Sequence, residues 1–171
     1  MDKLLIRREA EEDIPAIRRL VFNSYADKDD EAIRREEQAV ETLRDADVLS
    51  VSLVAISIPN IVGYIAASPV KIADGTGGWY GLGPVAVDPE HRNSGIGRAL
   101  MSAALEALQE GGAGGVVSLG DPAFYRRFDF DHITGLYYPG APEGDLLARH
   151  LGDNTAPQGA VAYHSAFDEL I

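Results

Sequence analysis

The sequence predicts a single mixed α/β domain, and three observations carry that prediction. Apolar residues recur at helical spacing up to about residue 44 and change to strand-like alternation from Val48. Three strand-like runs then follow one another with turn signals between them, the pattern of an antiparallel meander. The last of these, ending in Val85-Ala86-Val87, passes through a glycine turn into a helical pattern and on to a further apolar run. Such a crossover makes its two strands parallel. With 171 residues and 46% hydrophobic content the chain buries one sizeable core, and residues 1–171 are expected to form one domain.

Leu4-Leu5-Ile6 reads as a first strand. Glu11-Glu12-Asp13 places three acids where a helix N-terminus welcomes them, and Ile14, Ile17, Val21 and Tyr25 recur at helical spacing, with Pro15 tolerated in the first turn. A second amphipathic helix is expected from about Asp30 to Arg44. Leu49, Val51 and Leu53 alternate with Ser50 and Ser52, a strand with one buried face. Pro59-Asn60 turns the chain into the strand Ile61 to Ala66, and Asp74 to Gly78 is a flexible turn before a strand from Trp79 to Val87. Gly81, Gly83 and Pro84 do not fit a regular ladder together, which predicts a bulge there. A helix from Ser94 to about Glu110 presents Ile96, Leu100, Ala103, Ala104 and Ala107 inward and stops at Gly111-Gly112. Val116 to Leu119 is a short buried strand, Leu146 to His150 a short helix, and Val161 to Phe167 a closing strand.

Composition excludes several function classes. Fifteen Lys and Arg against 27 Asp and Glu, a net charge of −12, leave no basic face for nucleic acid and favour cationic ligands. No stretch reaches the roughly 18 apolar residues of a membrane span. The start lacks the apolar region of a secretory signal, so the expected location is the cytoplasm, without a membrane partner. The absence of cysteine excludes disulfides and a cysteinyl acyl-enzyme. His91, His132, His150 and His164 have no metal-ligand spacing, so no metal is expected, and Val116 stands where a nucleophile elbow around Ser118 needs glycine.

The segment Val85 to Leu100 is the most informative. A strand, a glycine turn and a helix present unpaired backbone N–H groups and a positive helix end, which together bind phosphate or pyrophosphate, and Arg92 and Arg98 reverse the charge locally. A helix cap with close packing is the alternative use of those glycines. The Walker pattern needs Gly-Lys-Ser/Thr, and the dinucleotide fingerprint needs a small residue at Leu100, so neither applies.

Arg92-Asn93-Ser94-Gly95-Ile96-Gly97 matches the Arg/Gln-x-x-Gly-x-Gly/Ala signature of the GNAT N-acetyltransferase family, which the sequence resembles. The resemblance is to the predicted bacterial acetyltransferases of the YhbS type. It extends through Ile61-Val62-Gly63-Tyr64, Gly81 to Val87, Leu119-Gly120-Asp121-Pro122-Ala123-Phe124-Tyr125-Arg126-Arg127-Phe128, and Tyr163 to Phe167. One departure is Asp129, where these relatives carry glycine; aspartate tolerates unusual backbone angles, so the turn is expected to survive.

The resemblance implies a mostly antiparallel sheet splayed between two central parallel strands, with helices on both faces. It implies acetyl-CoA as co-substrate and no metal. Backbone groups of Val85, Ala86 and Val87 would pair with the pantetheine arm, and Arg92, Asn93, Ser94, Gly95, Ile96, Gly97 and Arg98 would hold the pyrophosphate, with Leu119, Gly120 and Phe124 beside the cofactor. Tyr125 would protonate the departing thiolate, although Phe124 and Tyr125 also suit simple packing. The implied reaction is direct acetyl transfer in a ternary complex to a primary amine, on a small molecule or a protein, in a homodimer. A non-catalytic acyl-CoA sensor, or an acyltransferase using another acyl-CoA, are the rivals. No general base stands out; His164, Glu31 and Glu36 are the titratable residues considered for it.

Overall fold

The computed structural model describes residues 3–24, 30–142, 144–153 and 155–167, with side chains from residue 38 onward in the helix that begins at Asp30. The chain runs β1 (Leu4–Arg8), α1 (Ile14–Ser24), α2 (Asp30–Asp45), β2 (Val51–Ser57), β3 (Asn60–Pro69), β4 (Lys71–Ile72) and β5 (Trp79–Val87). It continues through α3 (Ile96–Glu110), β6 (Gly115–Ser118), α4 (Pro122–Arg126), β7 (Leu136–Tyr137), β8 (Leu147–His150) and β9 (Gly159–Ala162). Tyr25 of the sequence-level stripe lies outside the described residues; Ile17, Leu20 and Val21 are the buried positions of α1.

The principal sheet has the order β1-β2-β3-β5-β6-β8. Within it β5 and β6 are the parallel pair and the other neighbours are antiparallel. A second, smaller sheet, β4-β9-β7, was not expected from sequence. The helices cover both faces, as predicted. Ile96, Leu100, Met101, Ala104, Leu105 and Leu108 of α3 pack on Ile65, Ala67 and Leu82, whereas α1 and α2 bring Ile17, Leu20, Val21 and Val40 against Val54, Tyr64, Ala66 and Ala86 on the other face.

That double cover corrects one expectation. β2 is buried on both faces rather than one, and Ser52 is accommodated because its hydroxyl lies 2.7 Å from that of Tyr64. The inward stripe of α3 is also rotated from the predicted one. Ala107 is exposed and Ala103 half-buried, because the bulkier Met101, Leu105 and Leu108 gain more by burial than alanine does.

The C-terminal third departs furthest from expectation. Leu147–His150 is a strand, not a helix: β6 offers an open edge, and β8 pairs along it from Gly115↔His150 to Ser118↔Leu147. The strand expected to close the fold is confined to β9, which joins the small sheet through β4 and β7, and the chain leaves it for a 3-10 turn at Ser165–Phe167. The Asp74 turn is anchored, since its carboxylate accepts the backbone N–H groups of Thr76 and Gln158, both at 2.8 Å. These bonds hold its carboxyl below the usual range.

Candidate active site

The site begins where two strands part. β5 and β6 pair at Trp79↔Gly115, Tyr80↔Val116 and Gly81↔Val117, where their described pairing ends. β5 continues along β3, but its register shifts between Ile65↔Val85 and Ala67↔Leu82, which is the predicted bulge. Gly83 within it has φ +143, a conformation side-chain-bearing residues rarely adopt. Beyond the vertex the strands diverge around a cleft of about 1120 Å³. Val85 and Val87 line it, whereas Ala86 is fully buried under α1, so only its backbone is available to the cleft side of the strand.

At the far end of β5 the chain is folded by local bonds into the start of α3. The Asp88 carboxylate accepts the Glu90 N–H at 2.9 Å, and the Ser94 hydroxyl donates to the His91 carbonyl. Asn93 (φ +62) and Gly95 (φ +86) take left-handed angles that turn the chain onto the helix axis. Among the bonds between described residues, Ala99 is the first of this helix whose N–H reaches back, to Gly95 at 3.0 Å. The amides of Ile96, Gly97 and Arg98 therefore point out of the helix start, where an anion is stabilised by N–H groups and dipole together. The two glycines serve different ends. A Cβ on Gly95 would meet nothing within 4 Å, so its role is conformational; a Cβ on Gly97 would lie in ordinary contact, 3.5 Å from Phe124 and 3.8 Å from Val87, and would take up space between these two cleft-lining side chains.

The arginines divide likewise. Arg92 spends a guanidinium N–H on the Ser24 carbonyl, 2.8 Å away, and so ties the end of α1 to the turn. Arg98 is exposed at the mouth of the cleft, joined there by Arg127 from the segment after α4.

The opposite wall is α4, capped by the Asp121 carboxylate, which accepts the Ala123 N–H at 3.0 Å. Phe124 and Tyr125 meet edge to face at 5.1 Å, and Tyr125 meets Phe130 at 5.3 Å. Tyr125 is 6% exposed and belongs to the α3-side core while also lining the cleft, so packing and a part in chemistry are compatible in it. Leu119 and Gly120, in the loop between β6 and α4, line the cleft, with the Gly120 N–H donating to Ser118 Oγ at 3.1 Å. Asp129 takes φ +64, so the turn does survive the loss of glycine.

A family pattern described as Acetyltransferase (GNAT) family matches residues 14–130. The chain belongs to the GNAT acetyltransferase family. It is similar to the uncharacterized N-acetyltransferase YhbS of Escherichia coli K12, with 36% identity covering 98% of this chain and 100% of that protein. Among solved structures, a GNAT family acetyltransferase from Brucella melitensis in complex with acetyl-CoA superposes with a TM-score of 0.83 at 36% identity, covering 98% of this chain and 100% of that one. The Escherichia coli YhbS structure in complex with CoA gives 0.86 at 34% identity, covering 98% and 93%.

In this GNAT chain the cleft also includes residues that the sequence did not single out as site residues: Leu82, Ser118, Arg127, Tyr163 and Phe167. Arg127 was legible as half of an Arg-Arg doublet beside two aromatics in an acidic chain. Tyr163 and Phe167 arrive through the small sheet, which no local pattern announced. Of the residues weighed as a base, His164 accepts the Ala166 N–H through Nδ1 at 3.1 Å and does not line the cleft, while the side chains of Glu31 and Glu36 lie outside the described residues. Among the described residues no helix is long and apolar enough to cross a membrane.

Proposed function

We propose that this GNAT protein is an N-acetyltransferase that binds acetyl-CoA between β5 and β6 and passes its acetyl group directly to a primary amine. The observation that carries the reading is the continuity of one cleft, from Leu82, next to the vertex at Gly81, to the outward amides at the start of α3. Acetyl-CoA supplies an activated thioester and a pyrophosphate, and the residues present fit both. The amides of Ile96, Gly97 and Arg98 suit the pyrophosphate, with Arg98 and Arg127 adding charge. Gly97 leaves room for the arm beside Phe124 and Val87. The Brucella and Escherichia relatives, which hold acetyl-CoA and CoA respectively, support the assignment.

Chemically, the amine nitrogen bonds to the acetyl carbon and gives up one proton to solvent, the carbon–sulfur bond breaks, and the sulfur leaves as a thiolate that takes up a proton. Tyr125, on the α3 side of the gap, is proposed as the phenol that hydrogen-bonds or protonates that sulfur. The net charge of −12 favours a cationic amine as acceptor, on a small molecule or a protein terminus.

The test is isothermal titration with acetyl-CoA, comparing the wild type with a Gly95→Asp/Gly97→Asp variant shown to be folded by circular dichroism. Saturable wild-type binding that weakens at least about tenfold in the variant, roughly 1.4 kcal/mol, is expected. A wild type that does not bind acetyl-CoA overturns the reading.

A further inference from the structure

The vertex of the cleft is approached from both faces of the sheet by a tyrosine. Gly81 and Val117, the last described pair before the strands diverge, project toward the small sheet, because Val117 belongs to the cluster with Trp79, Leu136 and Val161. One residue further along each strand, the projection reverses. Leu82 belongs to the α3-side core with Tyr125. Tyr125 therefore reaches the gap from the α3 face. On the other face the ring of Tyr163 lies directly on Gly81: a Cβ there would sit 2.4 Å from Tyr163 Cε1, an overlap no real side chain tolerates. Glycine at 81 is what lets this ring reach the vertex.

Tyr163 is held in place by other rings, tilted against Tyr138 at 5.8 Å and edge-on to Phe167 at 5.8 Å. Its phenolic oxygen is shut off from solvent and has no hydrogen-bond partner among the described residues. A buried hydroxyl in that condition destabilises a fold, so its retention at the lip of a cleft points to a partner that arrives with the ligand. Burial, assisted by the neighbouring hydroxyls of Tyr125 and Tyr138, pushes the phenol above its ordinary range. It therefore stays protonated at neutral pH and acts as a donor.

We infer that Tyr163 donates its O–H to the carbonyl oxygen of the thioester at the vertex, making it an oxyanion donor on the face of the sheet opposite Tyr125. The inference rests on the acetyl-transfer reading above. An O–H donor needs a lone pair, and three are on offer there, on the carbonyl oxygen, the thioester sulfur and the amine nitrogen; the sulfur is a weak acceptor and is the one proposed above for Tyr125 on the α3 face. Donation to the amine would occupy the pair that must attack. Donation to the carbonyl leaves it free and strengthens as negative charge gathers on that oxygen in the transition state. The phenol keeps its proton throughout; the carbon–nitrogen bond forms and the nitrogen gives up one proton to solvent, the oxyanion collapses back to a carbonyl, and the carbon–sulfur bond breaks to a thiolate that takes up a proton.

The test is infrared difference spectroscopy of acetyl-CoA isotopically labelled at the thioester carbonyl, bound to wild type, Tyr163→Phe and Tyr125→Phe, with parallel titrations of acetyl-CoA and CoA and a thermal melt of each protein. The wild type is expected to lower the carbonyl frequency relative to free acetyl-CoA. Tyr163→Phe is expected to return it toward the free value and to weaken acetyl-CoA about five- to tenfold relative to CoA. Tyr125→Phe leaves the band where the wild type has it. The apo Tyr163→Phe protein melts no lower than wild type, because the lost hydroxyl had no partner to lose. An unchanged band and unchanged affinity ratio in Tyr163→Phe overturn this inference and leave the proposed function standing. Failure of the wild type to bind acetyl-CoA overturns both.

Discussion

The two walls of the cleft are built by different means. The β5–α3 wall is set by backbone: Gly83 and Gly95 take angles that side chains resist, Asp88 caps the turn, and α3 lies on a broad apolar surface shared with β2 and β3. The wall carrying Tyr163 is set by side chains. Its strands β4 and β7 are two residues long, each pairing with β9 at two positions, and its order depends on rings and on the Asp74 tether to Gln158. The first presents outward amides, which read an anion without reference to the rest of a ligand. The second is the kind of thin, ring-lined surface that admits variation in what lies opposite.

The difference is expected to be largest in stability. Leu100 of α3 is fully buried in the principal core, and Leu100→Ala is expected to cost about 3–5 kcal/mol. Leu136, 1% exposed on β7, is as buried, but it sits on a short strand beside exposed Tyr137, where neighbours can relax into the space, so Leu136→Ala is expected nearer about 2 kcal/mol. Chemical denaturation measures both. Native-state hydrogen exchange sharpens the contrast: amides of β9 should open at lower free energy than those of β3 and α3. Equal losses and uniform exchange would mean that both walls belong to one cooperative core.

The same contrast decides what could be read in the sequence. The glycine turn and the bulge are each specified by the types of neighbouring residues over a short stretch, the strand–helix–strand unit by the segment from Trp79 to Ser118, and the resemblance carried by Arg92 to Gly97 pointed to the end of the cleft where α3 begins. β8 is not legible because Leu146-Leu147-Ala148 is too short to show a period, and only the open edge of β6 makes it a strand. The local pattern puts Tyr163 in a regular strand, but the chain leaves β9 at Ala162, and what brings its ring to Gly81 is packing against Tyr138 and Phe167. Side-chain destinations fixed by long-range pairing leave no local trace.

Acid distinguishes the helix-covered principal sheet from the small sheet in a second way. Asp13, at the entry to α1, accepts two bonds from the Arg7 guanidinium at 2.6 and 3.0 Å and the Ala10 N–H at 2.6 Å, and its carboxyl is held below the ordinary range chiefly by Arg7. A carboxyl lowered in the folded state contributes stability in full above its unfolded value, about 3.9, and loses it as pH falls through the lower folded value. Asp74 obeys the same sign but is exposed and tethers the small sheet. Asp13→Asn is expected to lower the neutral-pH melting temperature, by less than Leu136→Ala, and to flatten its decline below about pH 4. Asp74→Asn should leave global melting nearly unchanged while reducing protection of the β9 amides. A global effect from Asp74→Asn as large as that from Asp13→Asn would break the distinction.

The smallest expected effect lies between α4 and the edge of the principal sheet. Asp129 follows α4 and precedes Asp131, whose backbone bridges to Ala148 of β8, so its left-handed turn (φ +64) carries the chain from α4 to that edge. Its N–H bonds to the Arg126 carbonyl at 3.2 Å, a bond any residue supplies, and the side chain is exposed. Two opposing terms act on Asp129→Gly. Glycine removes the left-handed penalty, of order 1 kcal/mol for aspartate, and returns some of that gain through the greater freedom of the unfolded chain. The net expectation is a gain of about 0.5 kcal/mol, or about 1–2 °C in melting temperature for a chain this long. Acetyl-CoA affinity should not change, because the turn already has the angles glycine would give it. A stabilised protein with unaltered affinity would show that aspartate is merely tolerated here. A fall in affinity would give the Asp129 carboxylate a part in orienting α4, and with it Tyr125, across the gap from Tyr163.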